Sequence, residues 1–171
     1  MEPRSFVMRT ETNEQPGVLE TDPVLVRAMT EQDLDAVVTI DAAATGRRRP
    51  RYFELMLQRA VKLAGMQVSL VAELDGRVAG FLIASLFYGE YGVLEPAASL
   101  ETIGVHPDFR RRRVGQALMR QLRMNLGALH ITTLRTEISW DDFELAGFFR
   151  RQGFRPAGRI CLECPIDPTA T

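Results

Sequence analysis

Between Ser99 and Leu126 the chain changes its hydrophobic period once, and a block of arginines stands at the change. Ser99 to Val105 is apolar and reads as a strand, while Val114 to Leu126 repeats its apolar residues at helical spacing. The junction is VHPDFRRRRVGQAL, Val105 to Leu118. A strand that turns directly into a helix gathers the unpaired N–H groups of the first helical turn and the positive end of the macrodipole at one point. Arginines beside that point add charge suited to phosphate, and Gly115 is expected to leave room for an anion against the backbone. The junction therefore predicts a pyrophosphate cradle.

The flanking sequence predicts an α/β fold. Met1 to Asp22 is polar and without sustained period, so residues 1–22 are expected to be a flexible tail ahead of one domain, 23–167. Val24 to Ala28 reads as a strand. Thr30, with Asp33 three residues on, predicts the start of a helix over 31–43, and a second helix is expected over 51–63 after the break at Gly46 to Pro50. Strands are expected over 67–73 and 78–87, joined by the hairpin signal Asp75-Gly76. After the strand 98–105 and the helix that follows the arginines come a β-branched strand, 131–138, an amphipathic helix, 141–152, with Leu145, Phe148 and Phe149 inward, and a last strand, 154–166.

Composition narrows the function. The chain has 171 residues and a net charge of −1, so no global field favours nucleic acid or a membrane surface. Its apolar runs fall short of the roughly 18 residues of a membrane span. With only two cysteines and no apolar leader, a cytoplasmic protein is expected.

Val105, Pro107, Arg110, Gly115 and Leu118 fall in register with motif A of the GCN5-related N-acetyltransferases, the acyl-CoA-using GNAT superfamily, which this junction resembles. The opening VRAMTEQDLDAV and the closing FFRRQGF resemble the family's first strand and helix and its last helix-to-strand step, so the resemblance runs over about residues 24–166. It implies a central mixed, mostly antiparallel sheet flanked by helices, with acetyl-CoA or another short acyl-CoA as co-substrate. The cofactor's pantetheine arm is then expected along Ile103, Gly104 and Val105, and its pyrophosphate at Arg110, Arg111, Arg112, Arg113, Val114, Gly115 and Gln116. Arg113 replaces the family's first glycine. Its side chain is expected to point to solvent while its N–H still serves.

Acyl transfer to an amine needs a base for the ammonium proton and, in many enzymes, an acid for the leaving thiolate. Glu101 is the carboxylate inside the strand before motif A. Strand alternation predicts that it shares a face with Ile103 and Val105, where apolar neighbours would raise its pKa and suit it to proton uptake. The alternative is a strand glutamate that orients substrate. Glu90 and Glu95 are fallback acids on the preceding loop. Phe149 stands where the family often has a proton-donating tyrosine, so an acid is left to Tyr88, Tyr91, Ser139 or water, or is not needed. Asp142, where the family often has asparagine, is expected to cap its helix with Asp141.

Other features carry less. Cys161 and Cys164 have redox spacing but are expected on opposite faces of a strand, and with His106 and His130 as the only histidines no metal site is expected. Arg47, Arg48, Arg49 and Arg51 form a second basic cluster in the region that lines the acceptor side in the family. That cluster tilts the reading to an enzyme acetylating protein lysine. A small-molecule amine acetyltransferase and a non-catalytic acyl-CoA-binding regulatory domain are the alternatives. The expected partners are acyl-CoA and an acceptor amine, not nucleic acid or membrane, and a homodimer is left open.

Overall fold

Strands β1 (Leu25–Ala28), β2 (Leu70–Leu74), β3 (Arg77–Phe87), β4 (Ala97–Val105) and β5 (Thr133–Arg135) form one sheet in that order. The first three joins are antiparallel and β4 to β5 is parallel. The computed structural model describes residues 24–62, 68–88, 95–158 and 160–166. The expected tail, 1–22, lies outside them. Helices α1 (Leu34–Thr45) and α2 (Pro50–Lys62) cover one face of the sheet, and α3 (Val114–Ala128) and α4 (Phe143–Arg151) the other. This is the expected mixed, mostly antiparallel sheet flanked by helices.

Each face has its own core. Val37, Val38 and Ile40 of α1 and Phe53 and Leu57 of α2 bury against Val71, Phe81 and Ile83. On the other side, Val114, Leu118, Met119, Leu122 and Leu126 of α3 and Phe149 of α4 bury against Leu70, Leu82, Ala84, Ala98 and Leu100. Burying apolar residues on both faces is the main driving force for such a layered domain.

Local chemistry sets the ends of the elements. Asp75 and Gly76 both have positive φ, 54° and 70°, the geometry of the tight hairpin turn that the dipeptide predicts. Arg27 ties β1 to the start of α1. Its Nη1 and Nη2 donate to Asp33 at 2.8 and 2.7 Å, and its Nε donates to Glu73 at 2.7 Å. Asp33 also accepts from the Thr30 N–H at 2.8 Å and the Thr30 hydroxyl at 3.0 Å. Thr30 thus donates to Asp33, and the helix expected from residue 31 begins as a 3₁₀ turn, Glu31–Asp33, before α1.

Two expectations at the C-terminal end are corrected. The strand expected over 131–138 is three residues long, because the chain leaves the ladder after Arg135 and the Thr136 hydroxyl donates to the Leu100 carbonyl at 3.0 Å. The last strand, 154–166, does not form among residues 154–158 and 160–166. Pro156 and Pro165 have no N–H to give to a ladder, and β5 is too short to offer a long edge. Cys161 and Cys164 are therefore exposed free thiols on irregular chain, not residues of opposite strand faces.

Candidate active site

Strand β4 carries one residue more than its partner. Ser99 pairs with Ser85 and Leu100 with Ala84, but the next partner, Ile83, is met by Thr102. Glu101 is the extra residue of a β-bulge. A bulge breaks the strict alternation of faces and re-aims a side chain, and it does so here. Ala98 and Leu100 before it, and Ile103 and Val105 after it, all lie on the α3 side of the sheet. Glu101 turns the other way, where its Oε1 accepts a 2.6 Å hydrogen bond from the Ser85 hydroxyl. The expected sharing of a face by Glu101, Ile103 and Val105 is thus overturned, and with it the apolar surroundings of the carboxylate. Glu101 is exposed and opens into a polar recess of about 230 Å³ lined by Ser85, Phe87, Ser99, Glu101, Arg135, Thr136 and Glu137.

The bulge coincides with the parting of two strands. The pairing of β4 with β5 ends at Ser99 and Arg135. Beyond it, among the described residues, β4 is paired to β3 alone. A strand with one neighbour satisfies only half its main-chain groups, so the stretch of Ile103, Gly104 and Val105 presents free N–H and C=O groups along the side that β5 has left.

That open side leads to the arginine junction. After a 3₁₀ turn, Pro107–Phe109, the chain reaches α3, whose first bond to the preceding turn runs from the Ala117 N–H to the Arg113 carbonyl at 2.9 Å. The N–H groups of Val114, Gly115 and Gln116 come before that bond and have no acceptor among the described residues. Arg111 and Arg113 both take left-handed backbone, with φ of 62° each. Arg113 is thus held in the conformation that a glycine adopts most readily, and it is exposed.

The arginines divide by their partners. Arg112 donates to Asp75 at 2.9 Å and lies over the Phe109 ring, so its guanidinium braces the hairpin rather than standing free for a phosphate. Gly115 also differs from expectation. A Cβ there would meet the Phe148 ring at 3.3 Å and Val105 at 3.8 Å, so the place of the missing side chain is taken by the close packing of α4 on α3. The glycine that seats the junction is Gly80 on β3, which sequence reasoning missed. A Cβ at Gly80 would lie 2.7 Å from Val114 and 2.9 Å from the Gly104 carbonyl oxygen. Only a bare backbone lets the first residue of α3 sit so close to the sheet.

Phe149 is buried, packed between Phe148 and Phe154 at centroid distances of 5.3 and 4.9 Å with the rings inclined by 64° and 56°. Asp142 caps α4, accepting from the Leu145 N–H at 2.9 Å. Glu95, Tyr88 and Ser139 are exposed, and Glu90 and Tyr91 lie outside the described residues. His106 sits in the turn, its Nδ1 accepting from the Asp108 N–H at 3.3 Å, and His130 is exposed. In the second basic cluster Arg49 is bound to the buried Asp41 at 2.6 and 3.0 Å and stacks on Tyr52, while Arg51 pairs with Glu54 at 3.2 Å.

Residues 66–156 match the family model described as an acetyltransferase (GNAT) domain. The chain is an N-acetyltransferase of the GNAT family. Solved structures share its fold. The ribosomal-protein-alanine N-acetyltransferase from Brucella melitensis biovar Abortus 2308 is 19% identical, with 84% of this chain and 99% of that chain covered and a TM-score of 0.66. The aminoglycoside 6'-N-acetyltransferase AAC(6')-Ih from Acinetobacter baumannii is 19% identical over 84% and 99%, with a TM-score of 0.67. AAC(6')-Iy, solved with the bisubstrate analog CoA-S-monomethyl-acetylneamine, is 19% identical over 84% and 99%, with a TM-score of 0.66. This GNAT domain differs from the sequence expectation mainly in the recess. Ser85, Ser99, Arg135, Thr136 and Glu137 were not singled out from sequence. The available signal was two serines, Ser85 and Ser99, interrupting otherwise apolar strands.

Proposed function

We propose that this N-acetyltransferase takes an acyl-CoA, acetyl-CoA first among them, and acylates a primary amine seated in the recess beside Glu101. The observation that carries the reading is the parting of β4 from β5 at Ser99, which opens a row of main-chain groups running toward the bare N–H groups of Val114, Gly115 and Gln116. A row of alternating donors and acceptors suits an amide-containing arm such as pantetheine, and a helix N-terminus suits a pyrophosphate. The likeness to AAC(6')-Iy, whose structure holds a CoA-derived analog, supports the same use. Arg110 and Arg111, both exposed, add positive charge at the phosphate end.

When bound there, an acyl-CoA supplies an activated thioester carbonyl. The work left to the protein is positioning and proton removal. Ser85 fixes Oε1 of Glu101, leaving Oε2 to take the proton of the incoming ammonium, directly or through water. Phe149 has no proton to give, so the thiolate leaves with a proton from solvent or without one. The acceptor is an amine on a small molecule or on a protein. The arginine cluster that favoured a protein is half committed, since Arg49 and Arg51 hold Asp41 and Glu54.

Binding of CoA, followed by heat flow and by thermal shift, tests the reading directly. CoA should raise the melting temperature by mass action, and acetyl-CoA with an amine panel should release free thiol. A protein that neither binds CoA nor releases thiol would refute it.

A further inference from the structure

The recess beside Glu101 contains a cation that an amine-binding site does not need. Arg135, the last residue of β5, is half-buried, with its guanidinium carbon 5.4 Å from the centre of the Phe87 ring. Stacking on an aromatic face orients the planar fork and leaves its N–H edge for another partner. Among the described residues Arg135 forms no ion pair, although Glu101 and Glu137 line the same recess. Arg27, Arg49, Arg51 and Arg112 are all matched to carboxylates by contrast.

We propose that Arg135 binds a carboxylate on the substrate, so that this site takes an amine and a carboxylate together. The inference rests on the acyl-transfer reading and deepens it. Arg135 pairs in register with Ser99, next to the bulge that carries Glu101, so the anion and the amine are read from two neighbouring strands. The carboxylate can come from either side of the reaction. It belongs to the acceptor if that is an amino acid or similar amino-carboxylate, or to the acyl group if the donor is a dicarboxylic acyl-CoA. A guanidinium fork recognises both with paired hydrogen bonds. Discrimination against an analogue lacking the group should be large, because that analogue leaves the guanidinium unpaired.

Matched substrates test this. Thiol release is measured with acetyl-CoA and lysine against 1,5-diaminopentane, and glycine against methylamine, then with succinyl-CoA against acetyl-CoA on methylamine. The carboxylate-bearing member of one set should be favoured at least about tenfold in kcat/KM. The set that shows the preference identifies the source. Arg135→Gln should abolish the preference, bringing the kcat/KM ratio of the matched compounds to near one whatever the absolute rates become, and Arg135→Lys should keep part of it. As a turnover-independent readout, 5-aminopentanoate should raise the melting temperature of the CoA complex where 1,5-diaminopentane does not, and Arg135→Gln should cancel the rise. Equal rates and equal shifts for the matched compounds, or a preference that survives Arg135→Gln, would overturn the proposal while CoA binding leaves the acyl-transfer reading standing. Loss of CoA binding itself would strike that reading instead.

Discussion

The Ser85 hydroxyl donates to Oε1 of Glu101 at 2.6 Å across the join between β3 and β4. The bond exists because the bulge at Glu101 swings its carboxylate onto the face that Ser85 occupies. A short hydrogen bond to one oxygen fixes the direction of the other. Glu101→Gln should lower kcat by about 10²-fold or more, the usual worth of a general base, with little change in the Kd for acetyl-CoA. Ser85→Ala keeps the carboxylate but loosens it, and a smaller loss, several-fold, is expected. Steady-state kinetics across pH check both. A Glu101→Gln enzyme with native kcat and pH profile would assign the proton to another group.

Two glycines should respond differently to the same change. Gly80→Ala puts a Cβ against a backbone oxygen and Val114, neither of which can yield without moving α3 or β4. We expect a loss of about 2–3 kcal/mol, at the upper end for overpacking, together with weaker CoA binding as the helix N-terminus shifts. Gly115→Ala meets the edge of Phe148, which can tilt, and Val105 at ordinary contact distance, so a loss of about 1 kcal/mol and nearly native CoA affinity are expected. Denaturant melts paired with CoA titrations separate the two.

Acid should weaken the tie between β1 and α1. Burial would by itself raise the Asp33 pKa, but hydrogen bonds from Arg27, the Thr30 N–H and the Thr30 hydroxyl outweigh it and hold the carboxyl below its ordinary value. With a folded pKa below the unfolded one, the unfolded chain takes up the proton first. The stabilisation is therefore full above the ordinary Asp pKa of about 4 and is lost as pH falls through the lower folded value. Asp33→Asn should cost about 2–3 kcal/mol at neutral pH, less than a fully buried pair because Arg27 keeps Glu73. The gap between variant and native stability should narrow below about pH 4. A gap that stays constant down to pH 2 would contradict this account.

Phe149 belongs to the core of the α3 side, and Phe149→Ala should cost about 3–5 kcal/mol. Phe149→Tyr keeps the ring and adds the hydroxyl common in GNAT enzymes at this place. We expect kcat to rise several-fold with the KM for acetyl-CoA unchanged. An unaltered kcat would mean that a hydroxyl at this place does not serve the leaving thiolate.

What could be read from the sequence was whatever local chemistry decides. Asp75-Gly76 encodes its own turn, and the helical period from Val114 onward encodes α3. The arginine junction was visible because a strand, a turn and a helix follow one another without interruption. The face of Glu101 was not visible. Alternation assumes that both strands of a pair advance in step, and nothing in SLETIGV marks the residue at which one of them takes an extra step. The role of Gly115 was equally hidden, since its neighbour Phe148 is distant in sequence. Arg135 carries no mark in the sequence, because a single arginine in a β-branched run looks like any solvated strand residue until Phe87 and Glu101 are brought beside it.

The bulge makes the length of β4 matter more than most of its letters. Removing Glu101 would let β3 and β4 pair without interruption, and the sheet would lose nothing that its cores require. Yet the carboxylate would vanish from the recess, while every residue beyond kept its place. Such a shortened chain should retain native circular dichroism and CoA binding but not turnover. Substitutions can be graded in this strand, whereas a single-codon deletion acts as a switch, separating the scaffold from its chemistry in one step.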